Sequence, residues 1–384
     1  MPINFFWSLT FPFRPSSKSN PPASFLDLLS APFALYGAIK SLEWGFSRES
    51  YYTRPLQVID GIKKWQKASD DLHKKAQEES CSFFQLITWT LLQLSSARGL
   101  QFTWGPAMAA NTQSTYSLLW RVFRVNIPLT CVSAFIVFSR DSHAGTPESA
   151  LLSLGFPKFP GLALLSETIY TACFGIWAAC SLDIRYTLIT LGVTLIHKLA
   201  TLFKCRQEIL ELFDPIYYPP MFNSPHKSPS LSHLWGRGWH TALQRIFLVA
   251  GGKPMIWITK KIGASTKTQR LAGLLGTFAA SGAVHEYISF VWTQGREMSH
   301  SHSAFFVLSS MFYFTIQAFG MILEPYLVPL IPKKLGGGRL WMWAFGLLTA
   351  YPFRKQYMNA SQIHTFFLPL SEWSWLYILS PLKD

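Results

Sequence analysis

The sequence predicts an all-α, polytopic membrane protein of about eight or nine transmembrane helices, and its composition and charge distribution support this. Only 14% of the 384 residues are charged and 49% are apolar, whereas soluble proteins carry about a quarter charged residues. Aromatic residues make up 16%, which disfavours a disordered chain. The net charge of +14 lies in a few loops between long uncharged runs. This pattern indicates basic loops beside a membrane and excludes nucleic acid as the expected partner.

Nine apolar segments approach the 20 or so helical residues that cross a bilayer core of about 30 Å. The first is the least regular, because Asp27, Lys40 and Glu43 interrupt it, and it could lie in the interface instead. No internal repeat divides the chain, so we expect one membrane domain over 1–384. The predicted spans are 25–46, 82–102, 122–139, 161–182, 186–203, 271–292, 304–330, 340–352 and 366–380.

Three Lys/Arg clusters predict the orientation of the chain. They lie in 47–80, in the mixed stretch 204–270 and in 333–339. Four predicted crossings separate the first two clusters and two crossings separate the last two. Even counts place all three on one side, which the positive-inside rule assigns to the cytosol.

The sequence predicts neither a disulfide framework nor a metal site. Its five cysteines are odd in number and widely spaced, with no CxxC pair. His300 and His302 are interpreted as solvated, since a metal needs three or four converging ligands. Gly251-Gly252-Lys253 is not a phosphate loop, because the first glycine of that motif is missing and Pro254 follows.

His285 is the first candidate catalytic residue, because an ionisable side chain deep in a predicted span indicates a functional site. The alternative is a core histidine bonded to a neighbouring helix. Ser281 lies four residues earlier on the same helix face, whereas Glu286 is rotated by about 100° and should pair with a basic or hydroxyl group elsewhere rather than with His285. Small residues that allow another helix to approach closely recur every four positions, at Ala272, Gly276 and Ala280.

A second candidate site lies in 217–240, where Tyr-Tyr-Pro-Pro-Met-Phe-Asn-Ser-Pro precedes Ser-Leu-Ser-His-Leu-Trp-Gly-Arg-Gly-Trp-His. Its prolines interrupt helix, and Ser232 could then cap a new helix carrying Trp235, Trp239 and His240. Arg237 offers a planar, charged fork suited to phosphate. The alternative is that the tryptophans and the arginine anchor the chain at the membrane interface.

This segment resembles the wax-synthase domain of the membrane-bound O-acyltransferase superfamily. There, Pro-Pro-Leu-Phe precedes Ser-Leu-Arg-Asp-Phe-Trp-Gly-Arg-Arg-Trp-His, and Ser-Gly-x-x-His follows some forty to sixty residues later. Here His285 lies 285 − 240 = 45 positions after His240. The resemblance is best over 210–330, and the length and first third resemble fungal members that acetylate terpenoid and meroterpenoid alcohols. The sequence departs from the pattern at Ser232, His233, Leu234 and Gly238.

The resemblance implies transfer of an acyl group, most simply acetyl from acetyl-CoA, to a hydroxyl of a lipophilic alcohol. His285 would be the general base and His240 would orient or polarise the thioester, without an acyl-enzyme. Acetyl-CoA is then a co-substrate and no bound cofactor is expected. The implied setting is a multi-pass protein of the endoplasmic reticulum bilayer. The residues implied in substrate binding are Trp235, Arg237, Trp239, Ser281 and Glu286, with Lys253, Lys260 and Lys261 as further candidates for the CoA phosphates.

Two alternatives remain open. A long-chain wax-ester or sterol-ester synthase would use the same catalytic residues and differ in the length of its pocket. A membrane transporter would be expected to contain inverted repeats or paired broken helices, and the sequence displays neither.

Overall fold

The computed structural model describes residues 25–46, 52–59, 62–65, 82–106, 109–141, 145–293 and 308–359, and this part of the chain is mostly helical. A two-stranded antiparallel hairpin, β1 (Leu56–Ile59) and β2 (Ile62–Trp65), is an exception to the all-α prediction. The helices are α1 (Phe25–Phe46), α2 (Phe83–Ser95), α3 (Thr115–Asp141), α4 (Pro147–Ser153), α5 (Leu162–Leu202), α6 (Gln207–Leu212), α7 (Leu231–His233), α8 (Gln244–Phe247), α9 (Lys253–Lys261), α10 (Thr266–Thr293), α11 (Ser309–Leu327), α12 (Gly338–Thr349) and α13 (Tyr351–Asn359).

Three helical stretches of the described residues are long and apolar enough to cross a membrane: Thr115–Ser139, Leu162–Leu202 and Ser309–Leu330. Their outer faces expose large apolar side chains, such as Trp120 and Phe123 of α3 and Leu188 and Ile189 of α5. Water would penalise surfaces of this kind, whereas lipid solvates them. The membrane character is therefore supported. The count of eight or nine spans stays a prediction, and 366–380 lies outside the described residues.

Helix α5 corrects the prediction of two separate spans at 161–182 and 186–203. It is one helix of 41 residues, about 60 Å long at 1.5 Å per residue. The predicted break contains Asp183, whose carboxylate accepts two hydrogen bonds from the guanidinium of Arg121 in α3, at 2.8 and 2.9 Å. Because this ion pair neutralises the acid, the helix continues through it.

The predicted span 82–102 is also wrong in its extent. Helix α2 has 13 residues and ends at Ser95. Beyond it the chain forms a compact turn in which Gly99 has a left-handed φ of +60°, and a Cβ there would lie 2.2 Å from the indole of Trp104. The side chain of Arg54 donates to the carbonyls of Leu100 and Pro106 at 2.8 and 2.7 Å. This turn is held by buried polar contacts that an apolar helix could not supply.

The orientation predicted from the Lys/Arg clusters depends on the number of crossings between them, and both corrections change that number. Without α2 as a span, and with α5 counted once, the crossings between 47–80 and 204–270 fall from four to two. The parity between these two clusters remains even, so they are still expected on one side, and the even count to 333–339 depends on α10 as a predicted span. The cytosolic location itself stays a prediction.

The core around the candidate site is formed by α10 and α11, which pack along each other. Phe278 of α10 and Phe314 and Ala318 of α11 are buried between them. The glycine pair that precedes α9 packs on the other side of α10, where a Cβ on Gly251 would lie 1.9 Å from the carbonyl oxygen of Gly276. The small-residue face predicted for α10 therefore does allow close backbone approach, and Gly251 serves helix packing.

Candidate active site

His285 lies on α10 with one ring nitrogen committed to its own helix. Its Nδ1 atom is 2.8 Å from the carbonyl oxygen of Ser281, one turn earlier. A carbonyl oxygen only accepts, so the proton of the neutral ring resides on Nδ1 and the lone pair on Nε2. The ring stacks on Phe314 of α11, with centroids 4.2 Å apart, and meets the edge of Phe353 at 6.0 Å.

Tight packing holds this part of α10 in place. The hydroxyl of Tyr357 donates to the carbonyl oxygen of His285 at 3.1 Å. Gly282 allows the first turn of α11 to approach, because a Cβ there would lie only 2.7 Å from Cα of Met311. Together with the buried Ser281, these contacts explain the residues of the Ser-Gly-x-x-His motif. The serine supplies a backbone carbonyl, the glycine leaves space for α11, and the histidine is held between them.

Glu286 does not bond to His285. Its Oε1 accepts from the backbone N–H groups of Ser310 and Met311 at 2.6 and 3.0 Å, and its Oε2 accepts from Nε2 of Gln356 at 2.9 Å. An acid at the first turn of a helix satisfies free N–H groups and interacts favourably with the helix dipole. Glu286 therefore forms no dyad with His285, as expected, but its partners are backbone N–H groups and an amide rather than the basic or hydroxyl group that was predicted. The structure places Glu286 as the cap of α11, and a contact with substrate stays a prediction.

The Trp-Gly-Arg-Gly-Trp-His segment folds differently from the predicted helix. Ser230, rather than Ser232, is the cap, and its hydroxyl oxygen accepts from the backbone N–H of His233 at 3.0 Å. The single turn α7 continues into a π-helical turn, Leu234–Gly238, and Trp239 is already extended. Ser232 instead donates its hydroxyl to Oε2 of Glu324 on α11 at 2.5 Å.

Glu324 is a residue that sequence reasoning missed. Besides the hydroxyl of Ser232, its carboxylate accepts from the backbone N–H groups of Leu231 and Ser232 at 2.5 and 3.0 Å. It therefore fixes the start of the motif to α11. Its position as an acid inside the predicted span 304–330 was an available signal, because an intramembrane acid requires a partner.

Trp235 and Trp239 connect the motif to the helices that carry His285. The indole N–H of Trp235 donates to Oε1 of Gln317 at 3.3 Å, and its ring lies 5.9 Å from both Phe278 and Phe314. Trp239 contacts the ring of Trp235 at 6.0 Å and that of His240 at 5.8 Å. A continuous aromatic chain thus joins the two histidines.

His240 has a buried ring nitrogen, Nδ1, with no hydrogen-bond partner among the described residues. Burial lowers the pKa of His240 to about 3, and the neighbouring His285 and Arg98 act in the same direction. The ring is therefore neutral at pH 7. The aromatic chain joins His240 to His285, 45 residues later in sequence.

Arg237 does not join this group. It is exposed and makes no hydrogen bond or ion pair with the described residues. Its neighbour Gly238 is buried, and a Cβ there would lie 2.5 Å from the hydroxyl oxygen of Ser228, so a larger residue would require that side chain to move. Lys260 and Lys261 are likewise exposed at the end of α9, with Lys261 over the ring of Trp257.

The described residues contain no group of three or more His, Cys, Asp or Glu side chains that could hold a metal ion. Four cysteines, Cys131, Cys173, Cys180 and Cys205, are free thiols. Cys81, His300 and His302 lie outside the part of the chain that the structure describes.

Residues 218–308 match a family model described as the membrane bound O-acyl transferase family. This range contains the Trp-Gly-Arg-Gly-Trp-His segment and the Ser-Gly-x-x-His of α10, and it covers about a quarter of the chain. The match supports the membrane-bound O-acyltransferase superfamily and, with it, acyl transfer in a membrane as the general activity. No curated protein matches this chain.

Proposed function

We propose that this protein transfers an acyl group, acetyl from acetyl-CoA, to a hydroxyl of a lipophilic terpenoid or meroterpenoid alcohol. The family match supports acyl transfer, and the apolar helices support a membrane setting that an apolar acceptor could enter. Acetyl is the proposed acyl group because of the resemblance to fungal acetyltransferases. An endoplasmic reticulum location belongs to the same proposal.

The observation that carries the proposal is the hydrogen bond from His285 to the carbonyl of Ser281. Because Nδ1 holds the proton, Nε2 is free to accept the proton of an alcohol as its oxygen attacks the thioester carbon. The new C–O bond forms, the C–S bond breaks, and CoA leaves as a thiolate that takes the proton back from His285. No covalent intermediate on the protein is needed.

His240 is the proposed donor to the thioester. Its buried Nδ1 has no acceptor among the described residues, and a neutral ring protonated there could donate to the carbonyl oxygen. Negative charge develops on that oxygen as the alcohol attacks, so this hydrogen bond would be stronger in the transition state than in the substrate complex.

The test is transfer by microsomes from radiolabelled acetyl-CoA or palmitoyl-CoA to a panel of terpenoid and fatty alcohols. His285→Ala should lower turnover by about 10²- to 10⁴-fold, the usual contribution of a general base. His226→Ala, which removes an exposed histidine, is the matched control and should leave turnover unchanged.

Three outcomes would contradict parts of the proposal. If His285→Ala retained most of its turnover, His285 would not be the general base. Preference for palmitoyl-CoA and fatty alcohols would favour the wax-ester synthase. Absence of transfer to every alcohol in the panel would contradict the acetyltransferase itself.

A further inference from the structure

Arg98 carries a buried positive charge that no acid neutralises among the described residues. It lies in the turn after α2 and is 5% exposed. One of its terminal nitrogens donates to the carbonyls of Pro219 and Pro220 at 2.9 and 3.2 Å, and the other donates to Met221 at 3.4 Å. Its guanidinium lies 5.1 Å from the ring centroid of Tyr186. All of these partners are uncharged, whereas buried charges in proteins are normally paired.

A cavity of about 70 Å³ lies beside this charge, and its lining includes Arg98, Gln101, Tyr186, Tyr217 and Tyr218. Two N–H donors of the lining residues, Nε of Arg98 and Nε2 of Gln101, are buried without a hydrogen-bond partner. The amide oxygen of Gln101 accepts from the hydroxyl of Ser96 at 3.2 Å, which leaves the amide nitrogen as the buried donor. Burial raises the pKa of Tyr217 to about 12, so its hydroxyl also stays a donor. The cavity therefore offers positive charge and donors.

The cavity is close to the reacting groups. Ala242, two residues after His240, is part of its wall. The charge of Arg98 also reaches the imidazole, since it contributes to the lowered pKa of His240. A ligand held in the cavity by one end could therefore extend towards His240.

We propose that this cavity binds a carboxylate of the acyl acceptor, with Arg98 as its counter-ion. This inference rests on the proposed function and narrows the acceptor to a lipophilic hydroxy acid. A small anionic group fits both the volume and the uncompensated charge. A neutral ketone would satisfy the donors but leave the charge unpaired.

The test measures binding without any acyl transfer. The full-length protein in detergent is titrated at pH 7.4 with 2-decalincarboxylate and, separately, with its methyl ester, and the dissociation constants are measured by thermal shift. The acid should bind roughly ten- to a hundredfold more tightly than the ester, as expected for a hydrogen-bonded charge.

The decisive variant is Gln101→Glu. Arg98→Ala could fail to fold, because Arg98 holds three backbone carbonyls, whereas Gln101→Glu keeps the side-chain volume and the acceptor for Ser96. The new carboxylate should neutralise Arg98 and abolish the preference for the acid. Gln207→Glu, which adds the same charge at an exposed position on α6, should leave the preference intact. Acid and ester partition into the detergent micelle to the same extent whichever variant is present. Comparing the ratio of their dissociation constants between variants therefore removes the effect of this partition.

Equal binding of acid and ester by the unmodified protein, or an unchanged preference in Gln101→Glu, would overturn the subsite. The two proposals fail separately. Acid binding without acetylation of any hydroxy acid would support the subsite and contradict the transferase. Acetylation of neutral alcohols without acid binding would contradict the subsite alone.

Discussion

Gly282 is the point at which the helix carrying His285 meets the start of α11. A Cβ added there would lie 2.7 Å from Cα of Met311 and 3.3 Å from the carbonyl oxygen of Ser310. Ordinary contact begins at 3.4 Å, so Gly282→Ala requires the two helices to separate by about 3.4 − 2.7 = 0.7 Å. The Cα and the carbonyl oxygen both belong to the backbone, so no side-chain rotation can relieve the clash.

The displacement would reach the catalytic ring through two contacts. Glu286 caps α11 at Ser310 and Met311, and Phe314 stacks on His285. Overpacking of this kind costs about 1–3 kcal/mol of stability. A misplacement approaching 1 Å at a reacting group can cost about 100-fold in rate. We therefore expect Gly282→Ala to lower acetyl transfer by about 10- to 100-fold and to lower the melting temperature.

The assay is radiolabelled acetyl transfer in microsomes, normalised to protein amount, with a melting curve of the detergent-solubilised protein. Gly192→Ala is the matched control, because a Cβ at this position in α5 meets nothing within 4 Å. It should keep full activity and gain about 0.5–1 kcal/mol, since alanine is the better helix former. Wild-type turnover and melting temperature in Gly282→Ala would refute the close-contact argument.

Two further predictions concern the chemistry. A variant with every cysteine replaced by serine or alanine should retain acetyl transfer, because direct attack needs no thiol nucleophile; an acetyl group trapped on a cysteine by mass spectrometry would contradict this. Arg237→Lys should raise the KM for acetyl-CoA several-fold and leave the KM for the alcohol unchanged, because lysine lacks the bidentate fork. A lower melting temperature with an unchanged acetyl-CoA KM would instead give Arg237 a structural role.

Local features of the site were predictable because they depend on neighbours along one helix. The spacing of Ser281 and His285 predicted a shared face, and the structure adds that the backbone carbonyl of Ser281, not its hydroxyl, meets the ring. The small-residue face of α10 was predictable for the same reason. The choice between Ser230 and Ser232 as helix cap was not, because Glu324, 92 residues later, engages Ser232.

Contacts distant in sequence account for what was missed. Arg98 lay inside a predicted span, and its partner carbonyl at Pro219 is 121 residues away. Nothing in the local pattern at 82–102 indicates that Arg98 ends up buried against the carbonyls of Pro219, Pro220 and Met221. The helix break predicted near Asp183 was also wrong. The arginine that pairs with Asp183, Arg121, lies 62 residues earlier and is not part of the local pattern.

The pairing of Arg121 with Asp183 has a consequence for how the chain enters its membrane. Helix α3 is synthesised first, and an unpaired charge carried into the bilayer costs up to about 2.5–3.5 kcal/mol at its centre. Joined by two hydrogen bonds, the two charges become one neutral group that lipid tolerates far better. Entering the bilayer together as a pair would therefore cost α3 and α5 less free energy than entering it one after the other.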